Sequence, residues 1–116
     1  MKRGDVVIVP FPFQDKPGEK IRSAVIVQSD TETNRLANII LAMITGNLKD
    51  KGRPTTVFVD PAAPDGASSG LYAPSLVKCY NLGTLRQHRI LHVIGHLSDK
   101  IMKQVDAALK AALELP

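Results

Sequence analysis

The stretch Lys2-Arg3-Gly4-Asp5-Val6-Val7-Ile8-Val9-Pro10-Phe11-Pro12-Phe13 opens on a turn signal, passes through four β-branched residues and stops at two prolines. Apolar, β-branched residues bounded by Gly, Asp and Pro predict a strand. Neither Pro10 nor Pro12 has an N–H for a ladder, so this strand ends there or lies on an edge. A second run, Lys20-Ile21-Arg22-Ser23-Ala24-Val25-Ile26-Val27, follows a polar loop. A third, Asn38-Ile39-Ile40-Leu41-Ala42-Met43-Ile44-Thr45-Gly46, closes on a hydroxyl and a glycine. Three such runs make the N-terminal region a sheet.

Outward from these runs the chain alternates short strands and loops. Gln14 to Lys20 is a loop with turn chemistry at Lys16-Pro17-Gly18. Ser23 to Gln28 is the second strand proper, and its near-continuous apolar character implies burial on both faces. Ser29 to Leu36 is a loop or a short turn of helix. Asn38 to Thr45 is the third strand, and Gly46 to Pro54 a basic loop. Thr55 to Val59 is a fourth strand, Asp60 to Gly70 a Pro/Gly/Ala/Ser-rich loop, and Ser75 to Tyr80 a fifth strand. Thr84-Leu85 is a candidate sixth strand, and His88 to Ile94 a seventh or a turn of helix.

The C-terminus carries the clearest helix. Ser98 is a good N-cap, and Asp99 sits well against the dipole in the first turn. Ile101, Met102, Val105, Ala108, Leu109, Ala112 and Leu113 form one stripe at the helical period. The expectation is a mainly β chain with a C-terminal helix, a small barrel-like sheet capped by that helix, in one domain over residues 1–116.

Composition narrows the function classes. Hydrophobic residues make up 44% and charged residues 22%, as in a globular protein. The run Ile39 to Ile44 is too short to span a bilayer. Asp5 and the prolines interrupt any secretory pattern. A cytoplasmic protein with no membrane partner is the expectation. The net charge of +4 favours polyanions such as nucleic acid, or an acidic protein. Its sources cluster at Lys16, Lys20 and Arg22, at Lys49, Lys51 and Arg53, and at Arg86, His88 and Arg89, each equally readable as a solvated loop. Aromatics are only 4% with no tryptophan, which argues against a base-stacking sheet platform and against a proline-peptide groove.

Cys79 is the single cysteine, so no internal disulfide forms, and it reads as a small buried hydrophobe. No Walker loop, GxGxxG, HExxH, CxxC pair or nucleophile elbow occurs. His88, His92 and His96 have the spacing of a metal set on a helix. Gly95 interrupts that helix, and on a strand the outer two would stand roughly 26 Å apart. No metal and no cofactor is expected.

Several short motifs fall in a fixed order along the whole chain. Gly4-Asp5 precedes the first strand, and Pro10 to Phe13 ends it. Arg22 opens the second strand, and Thr45 follows the apolar third. Ile94-Gly95-His96-Leu97-Ser98 leads into the last helix. In this order and spacing the chain resembles the MazF/PemK family of type II toxins, small mRNA-cutting endoribonucleases. The resemblance implies an SH3-like barrel with a C-terminal helix, a homodimer, and single-stranded RNA bound in grooves at the dimer interface. It implies metal-independent cleavage that leaves a 2′,3′-cyclic phosphate and a 5′-hydroxyl. It also implies a cognate antitoxin whose disordered acidic tail occupies the RNA groove, and DNA binding together with that antitoxin.

Carried over residue by residue, the resemblance makes Arg22 and Thr45 the catalytic pair. A guanidinium at a loop-to-strand junction suits the charge of a phosphorane, because its donors are fixed in a plane. The hydroxyl of Thr45 can donate to the same phosphate, or can serve the following turn. Phe13 is a candidate for base stacking. Lys20, Ser23, Lys49, Arg53, Lys78 and Asn81 are candidates for RNA contact, with Lys51 a further phosphate contact. Three departures stand out. Ser23 replaces the proline usual after the arginine. Tyr80 stands where some members carry an acid. Gly83 replaces an arginine in Asn81-Leu82-Gly83-Thr84. Glu19 matches an acid of other members only loosely, so the general base is unassigned. The departures leave open a relative that binds RNA or antitoxin without cutting. An unrelated SH3-like or OB-like binding module is the third possibility.

Overall fold

The computed structural model describes residues 1–13 and 15–116, so Gln14, the first residue of the expected loop, lies outside the described residues. The strands are β1 (Asp5–Pro12), β2 (Glu19–Ile26), β3 (Asn38–Thr45), β4 (Thr56–Val59), β5 (Ser75–Arg86) and β6 (His92–His96). The helices are α1 (Asp30–Arg35) and α2 (Asp99–Leu113), with 3₁₀ turns at Pro64–Ser69 and Gln87–Arg89. The strands form one antiparallel sheet in the order β4-β5-β3-β2-β1-β6.

The prolines of β1 sit where the ladder does not need them. The Phe13 N–H donates to the Gly18 carbonyl at 3.1 Å. In an antiparallel pair such bonds alternate, so the odd residues of β1 bond β2 and the even ones point away. Pro10 and Pro12 are even, and β6 has already left that side after Ile8. The expected edge position is therefore local: β1 is an inner strand whose second half has one free side.

Several boundaries differ from the sequence expectation. β2 begins at Glu19 rather than Ser23, because Glu19 to Arg22 pair with Pro12 to Val9 through backbone alone, with Glu19, Lys20 and Ile21 exposed. The expected fifth and sixth strands are one strand, β5. Its register against β3 jumps between Ala42, opposite Leu82, and Met43, opposite Lys78, so residues 79–81 form a bulge. The Asp60 to Gly70 loop contains the 3₁₀ turn, and His88 to Ile94 divides between the second 3₁₀ turn and β6.

Apolar residues bury on both sheet faces. Val6, Val25, Ala42, Val57, Val77 and Cys79 meet Ile101, Met102 and Val105 of α2 on one face. Val7, Val9, Phe11, Ala24, Ile39 and Leu41 pack on the other. Alternation along each strand produces this division. Ser98 caps α2 by accepting from the Ile101 N–H at 3.2 Å, and the stripe buries through Ala108 while Leu113 is exposed. Edge strands β4 and β6 are not paired to each other; the 3₁₀ turn and α2 lie across the gap, which makes the sheet barrel-like. Gly70, at φ +74, has no room for a Cβ beside the Ile94 carbonyl, and Ser68 Oγ donates to the His96 carbonyl at 2.7 Å. No helix among the described residues is long and apolar enough to cross a membrane.

Candidate functional site

Two small polar pockets open side by side where β1, β2, β3 and β5 end or bend. The first, about 290 Å³, is walled by Phe11, Pro12 and Phe13 and lined by Arg22, Lys78, Asn81 and Asp15. Arg22 lies on β2 opposite Val9, half-buried, so a rigid ladder aims its guanidinium. Lys78 borders the β5 bulge and Asn81 lies within it, the kind of irregularity that re-aims side chains at a site. Phe13, Arg22, Lys78 and Asn81, four of the candidates, therefore share one cavity.

Asp15 is the acidic side chain of that cavity, and sequence reasoning missed it. Its only signal was an acid two residues after Phe13, within a loop that looked solvated throughout. The loosely matched Glu19 is committed elsewhere, accepting from Arg89 Nη2 at 2.8 Å.

The second pocket, about 90 Å³, is lined by Thr45, Lys49, Asp50, Lys78 and Tyr80 among others. Lys78 lines both pockets and joins them. Thr45 Oγ1 accepts from the Asn47 N–H at 3.1 Å. The hydroxyl thus serves the turn and still has its own proton to donate, since a threonine both gives and accepts. Asp50 accepts from Tyr80 Oη at 2.6 Å and lies 3.9 Å from Arg53 Nε. That hydrogen bond holds the Tyr80 proton, raising its pKa above the ordinary phenol value.

The remaining candidates lie apart. Ser23 is adjacent to Arg22 and so faces the opposite way; it lines a larger, apolar pocket of about 360 Å³ with Ile8, Ile44, Leu71, Tyr72 and Ile94. Thr45 borders that pocket too. Lys20 is exposed opposite Phe11, on the same face of β2 as Arg22. Arg53 is exposed on the 46–54 loop, and Lys51 Nζ lies 3.8 Å from the centroid of the Phe58 ring. The three histidines are dispersed: His88 in a 3₁₀ turn, His92 and His96 in β6, with His96 Nδ1 2.7 Å from Asp5 Oδ1. Among the described residues no group of three or more His, Cys, Asp or Glu is placed to hold a metal ion. A Cβ at Gly83 would stand 2.3 Å from the Phe11 ring, so the wall of the first pocket occupies the space a larger residue would need.

The model of the PemK-like, MazF-like toxin of type II toxin–antitoxin systems matches residues 2–113. Endoribonuclease MazF of Staphylococcus saprophyticus is 32% identical over 116 residues, 99% of this chain and 92% of that protein. An endoribonuclease solved in complex with its cognate antitoxin, from a mycobacterial species, superposes at TM-score 0.78 with 21% identity, covering 100% of this chain and 97% of that one. The Mycobacterium tuberculosis toxin MazF-mt6 superposes at TM-score 0.72 with 26% identity, covering 95% and 98%.

Proposed function

The chain belongs to the PemK-like, MazF-like toxins of type II toxin–antitoxin systems and is an endoribonuclease, and we propose that it cuts single-stranded RNA in the pocket shared by Arg22, Lys78 and Asp15. The observation that carries this reading is the convergence of two cations, one carboxylate and two aromatic walls on one small cavity. In the proposed reaction the RNA 2′-oxygen attacks the adjacent phosphorus, and its proton passes to the Asp15 carboxylate. The new 2′-O–P bond forms as the P–O5′ bond breaks. The leaving 5′-oxygen takes a proton from Lys78, and the products are a 2′,3′-cyclic phosphate and a 5′-hydroxyl. Arg22 donates to the equatorial oxygens where charge builds, which is where a fixed donor contributes most. Thr45 gives its free proton to the same phosphate from the neighbouring pocket. Phe13 stacks on a base, and Lys49 and Arg53 meet the flanking phosphates.

The protein partner is a cognate antitoxin. The active form in this reading is a homodimer acting in the cytoplasm, where mRNA is found.

Purified protein incubated with a long RNA in EDTA, with 5′ ends mapped, tests the reading. Cleavage at defined sites with 5′-hydroxyl ends is expected. Arg22→Ala should lower the rate on the order of 10²–10³-fold, the usual loss for a transition-state donor. Arg22→Lys should not restore it fully, because the planar fork is gone. Asp15→Asn should cost on the order of 10²–10⁴-fold, the range for a positioned proton acceptor. A requirement for Mg²⁺, or an undiminished Arg22→Ala variant, refutes the scheme.

A further inference from the structure

We propose that Tyr80 is a positioning residue that clamps the basic 46–54 loop beside the cleavage pocket through its hydrogen bond to Asp50. The inference rests on the endoribonuclease reading of that site. The loop carries Lys49, Lys51 and Arg53, and its middle residue is Asp50. On the β4 side the loop is fastened by Thr56 Oγ1, which donates to the Asp50 carbonyl at 2.9 Å. On the β5 side the tie is Tyr80 Oη to Asp50 Oδ2 at 2.6 Å. A hydroxyl on a carboxylate is among the shorter and stronger hydrogen bonds.

The β5 bulge explains why a tyrosine can do this. Residues 79–81 are the extra residues of the strand, and Tyr80 is the central one. Its ring stands out of the ladder, half exposed, with its hydroxyl at the loop. Lys78 sits two residues earlier, its Nζ 5.7 Å from the centroid of the Tyr80 ring. Tyr80, Asp50 and Lys49 then line one pocket with Thr45 and Lys78. Breaking the clamp frees the loop on that side and lets Lys49 leave the phosphate path. Asp50 also lies beside Arg53. A carboxylate next to a polyanion path is tolerable when a hydroxyl and a guanidinium both face it. Tyr80 thus draws on an acid supplied by the loop.

Tyr80→Phe keeps the ring and removes the tie. In steady-state cleavage it should raise KM on the order of three- to tenfold, the worth of one ordinary intramolecular hydrogen bond. The kcat should stay within about twofold, since the reacting atoms keep their partners. Lys49→Ala should raise KM in the parent protein but add little in the Tyr80→Phe background, because coupled residues are not additive. Fully additive effects, an unchanged KM in either single variant, or a loss confined to kcat would overturn the clamp, whatever happens to Tm. Affinity for a 2′-O-methyl single-stranded RNA, which cannot be cut by its own 2′-oxygen, reads the same clamp independently. There the expected loss is again three- to tenfold, and no loss overturns the proposal. A parent protein that binds this RNA but leaves unmodified single-stranded RNA uncut counts against the endoribonuclease reading alone.

Discussion

The thiol of Cys79 lies in the core beneath α2, with Sγ 3.9 Å from the Val105 carbonyl oxygen. Burial, and secondarily the Asp106 carboxylate, push its pKa up to about 11. An unfolded chain's thiol ionises near 8.5. Between those values the unfolded state gives up a proton that the folded state keeps. Stability from this group is therefore complete below about pH 8.5 and lost as pH rises through about 11, with a slope of at most about 1.4 kcal/mol per pH unit. Cys79→Ala should lower stability at neutral pH by leaving a small cavity, yet flatten the alkaline fall relative to the parent. Denaturant titrations at pH 8, 9.5 and 11 measure both, and parallel pH curves for the two proteins would contradict the assignment. Burial of Cys79 was legible because a free cysteine behaves as a small hydrophobe and is usually buried. Arg22 was legible as the charge before an apolar run, but it lies inside β2 rather than at a loop-to-strand junction, because the ladder with β1 extends back to Glu19. Asp15 and Asp50 were not, since a loop carboxylate looks the same in sequence whether it faces water or a pocket. Only the β1–β2 hairpin brings Asp15 to Arg22, and only the β5 bulge brings Tyr80 to Asp50.

Elements were legible in proportion to how far one face of each is buried. β3 matches its expected bounds, Asn38 to Thr45, and α2 starts at its expected cap. The first half of β2 was hidden because its residues are exposed and held by backbone pairing. The unity of β5 was hidden because the bulge at 79–81 breaks the period-2 pattern that marks a strand. Gly83 follows that bulge, and its missing side chain admits the Phe11 ring. The absent arginine therefore has a packing reason. Gly83→Arg, which restores the residue expected from the resemblance, should push the Phe11 ring out of its site. The expected loss is about 1–3 kcal/mol, the usual range for overpacking a core position. Because Phe11 walls the Arg22 pocket, cleavage should weaken together with Tm. A variant with parental Tm and activity would show that the ring yields freely.

At the scale of the molecule, a largely apolar pocket adjoins the polar site through Thr45. The 360 Å³ pocket of Ile8, Ile44, Leu71 and Ile94 is rimmed by a fully exposed Tyr72. β6 is an edge strand of the same sheet; its Ile94 lines the pocket, while Val93 (51%), opposite Val7, is exposed on the other sheet face. An edge strand with apolar side chains invites pairing, and an exposed aromatic in a polar-rimmed patch marks an interface. We expect a second copy of the chain to cover this face. Thr45 lines both this pocket and the one with Lys49 and Lys78. Dimerisation here would make the partner a wall of the RNA groove, and activity would depend on assembly. Sedimentation should show a dimer at micromolar concentration. Tyr72→Asp should dissociate it without unfolding, because that side chain is fully exposed among the described residues. It should also lower cleavage to the extent that it lowers the dimer fraction, and activity of the parent should fall on dilution along the same curve. A monomeric parent removes the covering copy from this face. A dissociated Tyr72→Asp that still cuts RNA at the parental rate keeps the interface but places the whole groove within one chain, leaving Arg22, Asp15 and Lys78 to act without a partner.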